Sequence, residues 1–215
     1  MNRPQDIRCF LAATLSADVL RALEGLGQEL AERARSLGAR LRWVPADNAH
    51  LTLKFFGEIP AASTPALERE VRRALTDQPP IEVALTGVGA FPSARRARVI
   101  WVGVHDASNR LHALQTRLES AFEALGFPRE PKAFAPHITL ARAPGDSHVD
   151  VSALVNVERV VVSRHVLREL VVYESDLRPD GARYTPICRG PFQTHVSQNI
   201  PMSQSTAPFP DPSQK

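Results

Sequence analysis

The chain has 215 residues, 43% hydrophobic and 23% charged, which excludes general disorder and leaves room for one large domain with a sizeable core. A formal net charge of +3 excludes a protein that coats long nucleic acid, though the 26 basic residues include only three lysines, Lys54, Lys132 and Lys215, and arginine's planar fork suits a small phosphate site as well as it fits a general arginine bias. Two distant cysteines, Cys9 and Cys188, make neither a disulfide framework nor a metal site, and no stretch reaches the roughly 18 apolar residues that span a bilayer.

Met1 to Asp6 is polar and lacks the basic start and long apolar run of a signal peptide, so a reduced, cytoplasmic location is expected. Ile7 to Leu15 reads as a strand. Ser16 then caps a helix whose Val19, Leu20, Leu23, Leu26, Leu30, Ala34 and Leu37 fall at helical spacing before Gly38 ends it. Leu41 to Val44 and Ala49 to Ile59 are strand candidates, and a second helix runs from Thr64, with Pro65 in its first turn, to about Thr76. Two strands, Ile81 to Phe91 and Ala97 to Val104, flank a Pro-Ser-Ala-Arg-Arg loop. Ser108 caps a third helix carrying Leu111, Leu114, Leu118, Phe122 and Leu125, which Gly126 stops. Phe134 to Arg142 is a strand, Val151 to Val155 a short helix, and Val160 to Tyr173 strand-rich with a break near Ser163 to His165. Asp180-Gly181 is a turn leading to a last strand, Ala182 to Cys188. The chain reads as one domain over residues 1–190, followed by a disordered Pro- and Ser-rich tail over 191–215, where five of 25 residues are proline.

A short motif occurs twice. His50-Leu51-Thr52-Leu53 and His137-Ile138-Thr139-Leu140 stand 87 residues apart, each in a strand candidate of one half of the chain. Strand side chains alternate, so each motif offers a His/Thr pair on one face and an apolar pair on the other. Where the two strands meet, two hydroxyls can donate to phosphate oxygens, one imidazole can take a proton and the other can give one. Histidine suits both roles near neutral pH. One His-x-Thr alone is uninformative, because most strand histidines are structural; the weight comes from two copies in matching places. A zinc site wants three or four His, Cys or carboxylate ligands, and neither motif has Asp, Glu or Cys on its polar face; Glu58 lies eight residues beyond His50. No metal and no cofactor is expected.

The extended motifs, Asn48-Ala49-His50-Leu51-Thr52-Leu53-Lys54-Phe55-Phe56-Gly57-Glu58 and Phe134-Ala135-Pro136-His137-Ile138-Thr139-Leu140-Ala141-Arg142, with Arg8 to Ala12 and Arg183 to Pro186, make the chain resemble the bacterial RNA 2′,3′-cyclic phosphodiesterases. These were historically called 2′-5′ RNA ligases and belong to the two-histidine phosphoesterase superfamily. The resemblance covers about residues 7 to 190. It implies a bilobal α+β fold, with two antiparallel sheets around a central cleft, pseudo-twofold symmetry and helices outside. It implies opening of an RNA 2′,3′-cyclic phosphate to a 2′-phosphate without metal or cofactor, with reversible 2′-5′ ligation as a secondary activity. It assigns proton donation to His50, proton acceptance to His137, and phosphate binding to Thr52, Thr139 and Arg142. Arg142 has the wrong parity for the polar face on an ideal strand, so either the strand ends or bulges there or Arg142 reaches round the edge; otherwise Arg142 is a surface ion-pair residue.

Parity places Lys54 and Phe56 on the His50 face, as a phosphate-neutralising group and a base-stacking ring; Phe10 is a second stacking candidate, although Phe10 and Phe55 fit the core better. Arg95, Arg96 and Arg98 either steer RNA or form a solvated turn. His105, His112, His148, His165 and His195 have no partner motif and read as incidental, and Tyr173 and Tyr184 as packing residues. The expected partner is RNA, or a nucleotide, ending in a 2′,3′-cyclic phosphate, met by a monomer that is not membrane-bound. Two alternatives stay open: a nucleotide-phosphate binding module without important turnover, and a phosphodiesterase for a small cyclic ester such as ADP-ribose 1″,2″-cyclic phosphate.

Overall fold

The structure, a computed structural model, describes residues 6–155, 157–178 and 181–193; the expected tail beyond Gln193, with His195, and the Asp180 half of the expected turn lie outside the described residues. Nine strands form one antiparallel sheet. One half holds β1 (Asp6–Ala13), β3 (Leu51–Pro60), β8 (Glu169–Arg178) and β9 (Gly181–Pro191). The other holds β4 (Ile81–Phe91), β5 (Val99–His105), β6 (His137–Arg142) and β7 (Val157–Leu167). The spatial order is β7-β4-β5-β6-β3-β1-β8-β9, so the motif strands β3 and β6 stand at the centre and each half repeats the same four-strand layout outward. A single residue pair, Leu51 opposite Ile138, joins the halves. The two expected sheets are thus halves of one sheet, and the α+β class stands. The two-residue strand β2 (Arg42–Trp43) pairs with the far end of β6, at Arg142 and Ala141.

One face of the sheet is apolar. Leu11, Leu51, Ile100, Val102 and Ile138 are buried in a single cluster with the helices' inward residues. In α1 (Ala17–Ser36) these are Val19, Leu23, Leu26, Leu30 and Ala34; in α2 (Thr64–Leu75), Leu67, Val71, Ala74 and Leu75; in α3 (Arg110–Ala124), Leu111, Leu114, Leu118 and Phe122. The 3.6-residue spacing of each set makes that stripe. Gly190 of β9 lies so close to α2 that a Cβ there would sit 2.8 Å from Leu75 and 2.9 Å from Val71.

Four sequence expectations shift. The N-cap of α3 is Asn109, in the left-handed region at φ +56°, and not Ser108. The Asp106 carboxylate instead accepts from the Leu111 N–H at 2.7 Å and from both the N–H and hydroxyl of Ser108, and those bonds hold it below the usual carboxylate range although burial opposes them. Residues 151–155 form a turn rather than a helix: five residues are too few to repay nucleation. Strand β6 starts at His137, not Phe134, and the break between β7 and β8 falls at Arg168, because β7 keeps pairing with β4 through three irregularities of register. Among the described residues, no helix is long and apolar enough to cross a membrane. Both cysteines are buried and free, and burial, with smaller contributions from Cys188 and Glu174, pushes the Cys9 thiol up to about 12.

Candidate active site

The Leu51–Ile138 pairing fixes the geometry of the motifs. In an antiparallel ladder, continuing that register by one residue either way sets His50 opposite Thr139 and Thr52 opposite His137. A local twofold axis therefore passes between the strands, and the two histidines sit diagonally across it on the face away from the helices. His137 and Thr52 line a cleft of about 970 Å³ together with Phe55, Phe91, Lys132 and Arg142.

Both imidazoles are held alike. Nδ1 of His50 lies 2.7 Å from the Asn48 carbonyl oxygen, and Nδ1 of His137 lies 2.7 Å from that of Ala135. A carbonyl oxygen accepts only, so each Nδ1 carries the hydrogen and Nε2 is left as the titrating position. Neither Nε2 has a protein partner among the described residues, and neither is among the buried unpartnered atoms, which are Trp101 Nε1 and His165 Nε2. His137 lines the cleft, whereas His50 stands on the same face of the sheet but is not among the cleft's lining residues. Burial lowers the pKa of His50, as do the charges of Arg142 and His137, against the opposing bond to Asn48. Burial and Arg142 lower that of His137 likewise, against its bond to Ala135. The Thr52 and Thr139 hydroxyls make no hydrogen bond within the described residues, although both side chains are partly exposed, so both are free to donate.

A bulge in each motif sets the faces of the residues after the threonine. Opposite β1, Leu11 pairs with Lys54 and Ala12 with Thr52, leaving Leu53 as the extra residue. Opposite β5, Ile100 pairs with Ala141 and Trp101 with Thr139, leaving Leu140 as the extra residue. Each bulge inverts the alternation. It turns Arg142 onto the cleft, which resolves its parity; the side chain is exposed and makes no ion pair among the described residues. It does the same for Phe55, the residue five places after His50 as Arg142 is five places after His137. Phe55 is 52% exposed on the cleft, not in the core.

The same inversion corrects two expectations. Lys54 is not on the His50 face: it is 5% exposed, and its Nζ donates to Glu119 at 2.8 Å and to the Pro128 carbonyl at 2.5 Å. Phe56 is not a stacking platform: it packs edge-on against Phe122 and Phe127, with ring centroids 4.9 and 5.3 Å away. Lys54 has a structural task instead. Glu119 of α3 also accepts from the Glu130 N–H at 3.2 Å and from Gln115, so the pair fastens the segment leading to His137 onto the helix. Lys54→Met leaves Glu119 buried and unpaired, and a loss of about 3–5 kcal/mol in unfolding free energy is expected. Denaturant titration measures it; a loss near that of an exposed pair, under about 1 kcal/mol, would contradict the clamp.

Rings support each histidine from beside and below. Phe10 is buried and stacks on His50 at 4.7 Å; Tyr184, expected as a packing residue, packs edge-on against His50 at 5.2 Å. His137 meets Phe91 edge-on at 5.0 Å, and Phe91 lies 5.1 Å from Trp101. Phe91, Trp101, Lys132 and His148 carry no sequence signal as site residues, since none belongs to a repeated pattern; His148 and Lys132 line the cleft. Arg98 also lines it but is paired with Asp146 at 2.8 Å, while Arg95 and Arg96 lie outside it in a short exposed 3-10 turn. Among the described residues, no three His, Cys, Asp or Glu side chains are placed to hold a metal ion.

Residues 19–177 match the family model of the 2′-5′ RNA ligase superfamily. The chain is 32% identical to a Methanothermobacter thermautotrophicus protein named RNA 2′,3′-cyclic phosphodiesterase, over 83% of this chain and 95% of that one. It is 32% identical to the Escherichia coli protein of the same name, over 88% and 97%. Among solved structures it superposes on TT0787 of Thermus thermophilus with a TM-score of 0.72 at 25% identity, covering 88% of this chain and all of the other. It superposes on E. coli LigT complexed with 3′-AMP with a TM-score of 0.69 at 27% identity, covering 88% and 99%.

Proposed function

Because the chain belongs to the 2′-5′ RNA ligase superfamily, we propose that its cleft hydrolyses RNA 2′,3′-cyclic phosphate ends to 2′-phosphates by acid–base catalysis without a metal. One observation carries this reading: two imidazoles related by a local twofold axis on one face of the sheet, each donating Nδ1–H to the carbonyl two residues back and each left with Nε2 to titrate. Such a pair does what a metal-bound hydroxide does elsewhere, with one ring supplying the base and the other the acid.

In the proposed step His137 Nε2 takes a proton from water, the water oxygen forms a bond to phosphorus, and the bond from phosphorus to O3′ breaks. His50 Nε2–H gives its proton to O3′, leaving a 2′-phosphate and a free 3′-hydroxyl. The Thr52 and Thr139 hydroxyls and the Arg142 guanidinium hold the non-bridging oxygens as charge builds on them. Phe55, opposite Arg142 by pseudo-symmetry, offers the sugar–base part an exposed aromatic face. The names of the relatives and the nucleotide bound to LigT support this substrate class over a plain anion site.

Phosphorus NMR of the protein with 2′,3′-cyclic nucleotides and a short RNA carrying that end tests the reading. The 2′-phosphate is expected, with turnover undiminished by EDTA. Binding without product over a broad pH range would leave a nucleotide-binding module; loss of turnover on chelation would sink the metal-free mechanism. Burial and Arg142 hold both histidines below the ordinary value near 6.5. The reaction needs one ring protonated and one neutral, so kcat/KM, which reports the free enzyme, is expected to peak on the acid side of that value. A bound phosphate anion favours the protonated ring, so the kcat optimum should lie at higher pH. Coincident optima above pH 7 would contradict the assignment.

A further inference from the structure

A second groove, of about 660 Å³, opens beside the cleft and shares Arg142, Ala143 and Gly145 with it. Its walls include Arg42, Trp43 and Asn48 on one side and Arg183 and Tyr184 on the other, and among the described residues no carboxylate lines it. The walls are tied together: the Asn48 side-chain amide donates to the Ala182 carbonyl at 3.0 Å. Tyr184, at its inner end, is the ring set edge-on to His50, so the groove begins beside the site of chemistry.

The cross-strand register inside this groove is unusual. Arg42 of β2 is paired directly with Arg142 of β6. Like charges directly opposite each other in a ladder destabilise it, because the Cβ atoms lie only about 4.5–5.5 Å apart. Both side chains are exposed, and neither makes an ion pair among the described residues. β2 is just two residues long, so the pairing is not forced by a long strand. Two adjacent, unneutralised guanidiniums at the junction of two grooves fit two adjacent anions on one ligand.

We infer that this groove seats the 5′ phosphodiester next to the cyclic-phosphate end, with Arg42 as its principal contact, so that the enzyme reads the end of an RNA strand rather than a mononucleotide. This rests on the function proposed above. Arg142 faces the phosphate in the cleft, Arg42 faces the next one along the strand, and Arg183 stands on the opposite wall. Trp43 gives that part of the groove an aromatic wall. Selectivity for an oligonucleotide then comes from charge beyond the reacting group and needs no base-edge contact.

The test compares a 2′,3′-cyclic mononucleotide with a trinucleotide ending in the same cyclic nucleotide. Wild type is expected to favour the trinucleotide in kcat/KM. Arg42→Gln should cut the trinucleotide-to-mononucleotide ratio roughly tenfold, the worth of one charge-assisted contact. The change should lie in KM, and the log–log salt slope for the trinucleotide should shrink by about 0.7, one phosphate contact to a single strand. Arg73→Gln on α2 removes the same charge far from the groove and should leave the ratio alone. Equilibrium binding of a 2′-phosphorylated trinucleotide against a 2′-phosphorylated mononucleotide makes the comparison without turnover. Equal wild-type affinity for the two, or an equal loss of both in Arg42→Gln, overturns the inference. A binding preference lost in Arg42→Gln, together with no hydrolysis of either cyclic substrate, sinks the proposed hydrolysis and leaves the strand groove standing.

Discussion

His137→Ala and His50→Ala are each expected to lower kcat by roughly 10²- to 10⁴-fold, the usual worth of a positioned acid or base. The two losses are distinguishable. With His137 as the base, the acid limb of the pH profile reports its deprotonation, and His137→Ala should flatten that limb while the alkaline limb survives. His50→Ala should do the reverse, since the alkaline limb reports loss of the donated proton. The pair interacts, so the limbs of the wild-type profile belong to the two rings jointly, and assignment comes from the variants. Substrate affinity should change much less, because Thr52, Thr139 and Arg142 remain. A loss below tenfold in both variants, or unchanged limbs in both, would remove the acid–base reading.

The positions of the proposed site were legible because the motif occurs twice and strand alternation assigns its faces. His50, Thr52, His137 and Thr139 needed nothing but that. The helices were legible for the same kind of reason: their apolar stripes have the right period, and their bounds in the structure differ from the sequence reading by a residue or two. What alternation cannot foresee is a bulge. The extra residues Leu53 and Leu140 are ordinary strand formers and carry no glycine or proline to announce an irregularity. Between Leu53 and a second extra residue, Phe56, the faces are inverted, which is why Lys54 belongs to the helix side and Phe55 to the cleft; beyond Phe56 the original alternation returns. For Arg142 the resemblance and the parity rule disagreed, and a bulge was one of the ways out. Applying the same repeat logic to Phe55, five residues after its histidine, would have found its exposure from sequence. The rings Phe91 and Trp101 lay beyond reach, since they reach His137 through the pairing of β5 with both β4 and β6, which no local pattern encodes.

The matched bulges also explain how one symmetric scaffold makes an asymmetric site. The axis between Leu51 and Ile138 relates histidine to histidine and threonine to threonine, so the two imidazoles are interchangeable in their backbone setting. The next cleft-facing residue breaks the tie: Arg142 on one strand, Phe55 on the other. A guanidinium suits phosphate and a phenyl ring suits a sugar or base, so the bound nucleotide has one preferred direction across the axis. In the proposed reaction, that direction decides which imidazole meets water and which meets O3′.

Arg142→Met is accordingly expected to lower kcat by roughly 10²- to 10³-fold, the cost of removing one preorganised charge from a developing oxyanion. It should also move both histidines. Burial is the first cause of their lowered pKa values and persists in the variant; the charge of Arg142, which also lowers both, does not. Both pKa values should therefore rise towards 6.5 without reaching it, and the kcat/KM optimum should move to higher pH by a similar amount. Histidine ring-proton titrations by NMR read the shift in the absence of substrate, independently of turnover. Arg142→Lys keeps the charge and loses the planar fork, so it should leave the histidine titrations near their wild-type positions yet recover only part of the rate. If Arg142→Met left both titrations in place while the rate fell, the guanidinium would be acting on the phosphate alone, and the electrostatic link between the anion site and the two imidazoles would be wrong.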